Sequence, residues 1–452
     1  MAYTFREGSP EELNNFSFNS TKGHIFQTTY WGSFKKEWTS KSILGLDNKN
    51  NIVLSCIILT RNLPILNKNI GYIPRGFVCD YKNFSLLEEF TSYLRTYSKN
   101  NKIAFITIDP DIHIRENTND IIENKDIISN LKKLGYIENS SKNFENIQPN
   151  FVFRLNLNTK CENKTNDEIK LDILNSFSSK ARYNIKIGIE RGLSVESYTF
   201  NTLKENKLDI FQELMNITGK RDNFIVRKKE YFLDMLKTLN PYCKLYLVKY
   251  SYETDKNNIY KKLNNCKITL DNIKLKLINL KESLNSTTDE KKIIKIKSKI
   301  DNKNKEIKNN ELQLTSLENK LNTISVYKNK EIYLSGAIYL TWGNKAWYLY
   351  GASHNILRDT MPNFLMQYEM IKDSIDNNCY IYDFRGVSGD LNEDNPLYGL
   401  YRFKKMFNGD FVEFIGEYTL ISNKNIYLLF KKIFPKFKDI RNSIFQKNNK
   451  KK

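Results

Sequence analysis

A carboxylate at the end of a buried strand, cations placed at turns and helix starts, and only three histidines are what this chain offers for chemistry. Ile103 to Ile108 is an apolar run ended by Asp109-Pro110. Proline disfavours helix at the residue before it, so Asp109 falls at a strand's carboxyl end, where ligands of open α/β sheets collect. The same carboxylate could do no more than fix the Pro110 turn. Arg227 precedes the helical stretch Lys229 to Thr238, so guanidinium and helix N-terminus could share one phosphate; an ordinary surface cation would look the same. Arg75, in the turn Pro74-Arg75-Gly76, could line a cleft or pair with Asp80. Lys180, Arg182, Lys186 and Arg191 lie on one basic helix, Ser178 to Arg191, stopped by Gly192. Such a helix suits a nucleic-acid backbone or a solvated face. Tyr348 and Tyr350 flank Leu349, and a period of two sets both on one strand face, as the wall of a groove or as core tyrosines.

The elements that must position these residues read as α/β. Asn51 to Thr60 and Ile103 to Ile108 are apolar strands around a helix from Leu86 to Tyr97. Phe151 to Leu157 opens a second unit by alternation. Helices follow over Phe211 to Thr218 and Lys229 to Thr238, then a strand over Leu245 to Tyr250. Further strands are expected over Ile332 to Thr341, Lys345 to Tyr350, Tyr380 to Phe384 and Phe411 to Ile421, with a helix over Pro362 to Asn377.

Between two of these strands, Asn258 to Ile324 repeats apolar residues at three-four spacing. Leu263, Cys266, Leu270, Ile273, Leu277, Leu280 and Leu284 make one seam. Ile293, Ile296, Ile300, Ile307, Leu314, Leu317, Leu321 and Ile324 make the other, interrupted by Lys303 and Asn310. The spacing predicts an antiparallel coiled-coil hairpin turning at Asn285 to Asp289, each arm roughly 45 Å long. It carries 15 lysines against 8 acids, a surplus that suits an anionic partner or a solvated spacer.

The formal charge of +20 over 452 residues points to nucleic acid, a phosphorylated substrate or an anionic membrane surface. Six scattered cysteines without a CxxC pair read as reduced thiols, and His24, His113 and His354 have no ligand spacing, so no metal is expected. The first ten residues lack an apolar core, which predicts no signal peptide, and no apolar run reaches 18 residues. The expected location is cytoplasmic. The tail from Phe430 to Lys452 alternates large apolar residues with 9 basic ones, suiting a docked helix or contact with the inner membrane face.

A series of motifs then carries a resemblance. Leu334-Ser-Gly-Ala-Ile-Tyr-Leu-Thr341, Trp347-Tyr-Leu-Tyr-Gly-Ala-Ser353, Gln367-Tyr-Glu-Met-Ile371, Tyr382-Asp-Phe-Arg-Gly-Val-Ser-Gly-Asp390 and Leu400-Tyr-Arg-Phe-Lys-Lys-Met-Phe407 with Glu413-Phe-Ile-Gly-Glu417 stand in the last third. Phe26-Gln27 with Trp31 and Lys35, Tyr72 to Tyr81, Ile106 to Pro110 and Lys180 to Lys186 agree in the first half. In order and spacing the chain resembles the FemA/FemB/FemX family, and its hairpin resembles that of the FemA branch. The resemblance implies two tandem acetyltransferase-type (GNAT-like) subdomains: residues 1–150, then 151–257 with 325–425, the arm 258–324 inserted and a basic tail 426–452. It also implies transfer of an amino acid from aminoacyl-tRNA to a stem-peptide amine of a peptidoglycan precursor, either lipid II or UDP-MurNAc-pentapeptide. Aminoacyl-tRNA is then a co-substrate and no cofactor is implied.

The resemblance places Lys404 at the reaction centre, where it would stabilise an oxyanion or hold the tRNA 3′ end, and Lys35 and Arg227 on precursor phosphates. On its residues alone, Lys404 reads as a surface lysine beside core Phe403 and Phe407. Asp109 would orient or deprotonate the acceptor amine, with Arg75, Tyr348, Tyr350 and Phe403 lining the precursor groove. Lys180, Arg182, Lys186 and Arg191 would meet tRNA. An activated ester needs an unprotonated amine, close approach and oxyanion stabilisation, which suits a chain with no Cys/His or GxSxG pattern. Two rivals remain: an acyl-CoA N-acyltransferase of the same fold and a noncatalytic RNA-binding protein. The first wants a glycine-rich pyrophosphate loop where this chain has Arg358-Asp-Thr-Met-Pro-Asn363. The second leaves Asp109 and Lys404 without a role.

Overall fold

The computed structural model describes residues 2–63, 66–139, 146–159 and 163–432; Cys161 and the tail beyond residue 432 lie outside them. Two sheets organise the molecule. In the first, the strands run in the order Thr4–Glu7, Thr39–Leu46, Ile52–Leu63, Lys68–Ile73, Ile103–Ile108, Glu417–Ile421 and Tyr136–Asn139, with Val78–Cys79 paired on Ile52–Leu63. In the second the order is Leu193–Tyr198, Cys243–Tyr250, Ile332–Trp342, Lys345–Ser353, Ile381–Gly386, Phe151–Asn156, Asp410–Phe414, His113–Glu116 and Asn119–Asp120. The mixed α/β class expected from the alternating strands and helices is what forms.

The expected strand from Phe411 to Ile421 is two strands in different sheets. Asp410–Phe414 pairs with Phe151–Asn156 in the second sheet, and Glu417–Ile421 inserts between Ile103–Ile108 and Tyr136–Asn139 in the first. Gly416, at φ +92°, supplies the left-handed corner between them. In exchange, His113–Glu116 leaves the first unit and pairs with Asp410–Phe414. A division at residue 150 therefore cuts across two strands that each half lends the other.

Packing follows the same exchange. Phe26, Trp31 and Phe34 from the first half share one core with Phe211, Phe232, Trp342 and Trp347 from the second. The parallel strands Lys345–Ser353 and Ile381–Gly386 pair only over Lys345, Ala346 and Trp347 with Ile381, Tyr382 and Asp383. Beyond Trp347 and Asp383 the two strands no longer pair.

The hairpin is formed by Tyr252–Asn285 and Glu290–Ser325. Asp289 caps the second helix by accepting from the Lys291 and Lys292 backbone N–H groups. All the expected seam positions, Lys303 and Asn310 included, are shielded from full exposure. Only the half nearest the sheets buries its seam, at Ile259, Leu263, Cys266, Leu270, Ile273, Leu317 and Ile324. Among the described residues no helix is long and apolar enough to cross a membrane.

Candidate functional site

Two groups of expected residues gather where the halves meet. The first is a cationic aromatic patch. The helix Thr29–Phe34 ends at Lys35, whose half-buried ammonium stands 4.5 Å from the Trp31 ring, 5.0 Å from Phe34 and 5.7 Å from Tyr231. The Arg227 guanidinium, exposed before the helix Lys229–Thr238, lies 5.0 Å from the same Tyr231 ring. Burial, with Arg227 nearby, lowers the Lys35 ammonium to about 8. Like charges converging on one face, with aromatic rings beneath them, are suited to an anion. Tyr231 was not singled out from the sequence. It ties the patch together, its hydroxyl 3.2 Å from that of Tyr350.

Tyr348 and Tyr350 do not share a face. The ladder between Ile332–Trp342 and Lys345–Ser353 shifts register between Ile338 and Tyr339, which face Tyr350 and Tyr348 and leave Leu349 as the extra residue. The bulge turns Leu349 and Tyr350 toward the core shared with Trp31, while Tyr348 packs with Tyr382 and Phe384 on the other side. A strict period of two could not register one inserted residue. Phe403 sits on that other side as well, edge-on to Phe364 at 5.0 Å and to Phe407 at 5.4 Å.

The second group is a buried charge network at the junction of the sheets. Asp109, 3 % exposed, accepts from the Tyr72 hydroxyl at 2.7 Å and from the Arg75 backbone N–H. Burial outweighs Arg75 and Tyr72 and pushes its carboxyl up to about 7. Asp109 thus fastens the Arg75 turn, and Gly76 beside it, at φ +68°, leaves room for Pro110 where a Cβ would stand 2.9 Å from the proline Cα. Arg75 makes no pair with Asp80. Its guanidinium bonds the Pro149 carbonyl at 3.1 Å and lies 4.5 Å from the Phe414 ring.

Arg154 is the centre of the network. It grips both oxygens of Asp111 at 2.8 and 2.9 Å and Asp383 at 3.0 Å. Lys345 reaches Asp111 at 3.2 Å. Burial opposes the Asp111 charge, but Arg154 and Lys345 outweigh it and hold the carboxyl well below its usual range.

Lys404 is no surface lysine. It is 3 % exposed at the end of the helix Tyr398–Lys405, donating to the carbonyls of Arg385 at 3.0 Å and Gly386 at 2.7 Å. Burial lowers its ammonium to about 7, against the pull of Asp383. Asp383 accepts from the Arg154 Nε–H and so helps to orient that guanidinium. Arg154, Asp111, Lys345 and Arg385 escaped the sequence reading. Arg385 alone lay inside a quoted motif, and the strand exchange that brings Asp111 and Phe414 to Arg154 leaves no local signature.

The basic helix, Ser179–Glu190, divides. Lys180 and Lys186 are exposed. Arg182 is turned back onto the carbonyls of Asn175 at 2.7 Å and Phe177 at 2.6 Å. Arg191 leaves the stripe altogether: it is buried, bonded to Asp255 at 2.8 and 3.0 Å and to Asp359 at 2.7 Å, and so bolts the arm to its base. Two open clefts of about 1470 and 450 Å³ lie outside both groups, apart from Arg154 on the wall of the smaller.

The comparisons agree with this architecture. The FemAB family pattern matches residues 9–433. A lipid II:glycine glycyltransferase of Staphylococcus epidermidis is 32 % identical over 97 % of both chains. One from Staphylococcus aureus is 31 % identical over 98 % of both. A crystal structure of FemX, 29 % identical, superimposes with a TM-score of 0.70, covering 94 % of this chain and 99 % of that one. Matched by the family pattern over residues 9–433 and sharing its fold with FemX, the chain belongs to the FemAB family.

Proposed function

We propose that this protein transfers an amino acid from aminoacyl-tRNA to the side-chain amine of the stem peptide in a lipid-linked peptidoglycan precursor. The observation that carries the reading is the pair Asp109 and Lys404, a buried carboxyl and a buried amine both brought to about 7 within one charge network. Near neutrality each can give up or accept a proton, the condition for efficient general acid–base work. The acceptor amine attacks the ester carbonyl, forming a C–N bond. The tetrahedral oxyanion collapses with loss of the tRNA 3′ oxygen, the proton leaves the new amide nitrogen for Lys404 or Asp109, and the departing 3′ hydroxyl takes a proton in turn. Lys35 and Arg227 hold the precursor's pyrophosphate. The exposed Lys180 and Lys186 and the basic arm serve the tRNA.

The relatives named for lipid II and glycine support this acceptor and make glycine the first donor to try. The acyl-CoA alternative meets a physical objection in the Arg358–Thr360 turn. Met361 holds left-handed backbone where a glycine would belong, Pro362 opens the next helix without a backbone N–H to offer a phosphate, and Asp359 is engaged with Arg191. The test is transfer of radiolabelled amino acids, charged on a total tRNA pool, to lipid II and to UDP-MurNAc-pentapeptide. Label on lipid II is the expected result; label on neither precursor defeats the proposal.

A further inference from the structure

Arg75 and Arg385 are two guanidiniums set into the network without a counter-ion. Both occupy left-handed backbone, at φ 58° and 63°, a conformation that costs a non-glycine residue about 1 kcal/mol or more and clusters at functional sites. Arg75 is 4 % exposed, and its Nε is buried without a hydrogen-bond partner. Arg385 is half-buried and spends one Nη on the Gln148 side chain at 2.6 Å. Among the described residues neither guanidinium is ion-paired. The carboxylates that could serve are engaged elsewhere: Asp111 by Arg154 and Lys345, Asp383 by Arg154 and the Arg385 backbone N–H, and Asp109 by Tyr72 and the Arg75 backbone N–H.

The two arginines are held by consecutive residues, the Gln148 side chain and the Pro149 carbonyl. Burial, with Arg75 beside it, lowers Arg385 to about 10. Four cations (Arg75, Arg154, Lys345 and Arg385) stand with two ion-paired carboxylates, Asp111 and Asp383, while Asp109 and Lys404 are both near 7, so the cluster lacks negative charge. Position adds the rest. Asp109 grips the Arg75 backbone N–H, and Lys404 donates to the Arg385 carbonyl, so each arginine is fastened to one of the two proposed reaction-centre residues. From Arg385 a run of rings leads to the cationic patch: Phe26 at 5.6 Å, Trp31 stacked on Phe26 at 3.9 Å, and Lys35 at 4.5 Å from Trp31.

We infer that Arg75 and Arg385 form a carboxylate-binding subsite that takes the free C-terminal carboxylate of the acceptor's stem peptide. The inference rests on the proposed acceptor and deepens it. An extended peptide of five residues spans roughly 17 Å. A ligand with its pyrophosphate at Lys35 and Arg227 would run from that patch to the junction of the sheets, bringing its peptide end to Arg75 and Arg385 beside Asp109 and Lys404. Planar guanidinium forks match a carboxylate bidentately. An acceptor ending in an amide would leave both arginines desolvated and unpaired.

The test is the binding of UDP-MurNAc-pentapeptide and of its C-terminal carboxamide, by calorimetry, to the full-length protein and to Arg385→Gln, Arg75→Gln and Arg385→Lys. The unaltered protein should bind the carboxylate form about 10- to 50-fold more tightly. Arg385→Gln should bring the ratio to about twofold by losing affinity for the carboxylate form alone, and Arg385→Lys should land between the two. Equal binding of both forms by the unaltered protein overturns the inference, and needs no variant to fold. So does an Arg385→Gln protein that keeps the full ratio while its KM for aminoacyl-tRNA rises, which would hand the site to a donor phosphate. A kcat that falls equally with both acceptors would hand it to the oxyanion and overturn the inference too. If neither form binds and lipid II receives no label, the proposed function itself fails, an outcome distinct from equal binding.

Discussion

Lys404 and Asp109 carry opposite charges when ionised, yet burial brings both to about 7, and their signs can be separated. A lysine with a lowered folded value is neutral above it, and a carboxyl with a raised value is ionised above it. Both therefore lose a proton as pH rises through 7. Lys404→Met removes one of the two proposed proton acceptors while keeping an unbranched chain, so kcat should fall about 100-fold or more with the circular dichroism unchanged. Lys404→Arg, charged at every accessible pH, should be as inactive; an active Arg variant would show that the charge, and not the proton, is what matters. For Asp109→Asn, the ratio of unaltered to variant kcat should itself titrate near 7, since the acceptor amine's own titration cancels. Stability gives an independent reading. A raised carboxyl pKa destabilises the fold as pH climbs from about 4 through 7 and imposes its full cost above 7. Asp109→Asn should therefore raise Tm at pH 8 more than at pH 5. Asp109 was visible in the sequence because proline marks a strand end. Lys404 was visible only through its motif, since nothing in Phe-Lys-Lys-Met-Phe says which lysine is buried.

At the scale of elements, periodicity was legible wherever the chain is regular and silent where regularity breaks. The coiled-coil seam could be read residue by residue because heptad spacing is local and repeated, and the interrupting Lys303 and Asn310 still lie on it. The bulge at Leu349 and the corner at Gly416 each insert or redirect a single residue, and each moves a side chain or a strand to another surface. Arg191 shows the same limit on a helix: it continues a basic stripe in sequence, but the helix ends at Glu190 and the next residue turns inward. Asp255, fully buried, depends on Arg191 and the Tyr250 hydroxyl for its partners. Arg191→Ala should therefore destabilise the protein by about 3 kcal/mol through an uncompensated buried charge, measured by urea denaturation. The double variant Arg191→Ala with Asp255→Ala should recover part of that loss. If Arg191 served tRNA instead, its loss would weaken transfer at unchanged stability.

For the whole molecule, the exchange of strands makes the two halves one folding unit, because Glu417–Ile421 completes a sheet whose other members lie more than 270 residues earlier. Such long-range pairing has no signal in local sequence, which is why a boundary near residue 150 looked natural. The arm is different. Its seam is buried only near the sheets, and its outer half is lysine-rich and partly exposed, so it contributes reach more than stability. Excising residues 276–300 and closing the cut with a short turn keeps the buried base around Ile259, Leu263, Leu317 and Ile324. The shortened protein should unfold in a single transition with Tm within a few degrees of the parent. Five of the 15 lysines counted in the arm lie in the stretch from Lys291 to Ile300. Because each phosphate contact contributes to the salt dependence of binding, the log–log slope of tRNA affinity against salt should become shallower, while precursor affinity at Lys35 and Arg227 stays as it was. An unchanged slope would mean that tRNA is held at the helix carrying Lys180 and Lys186, and that the outer arm has a different partner.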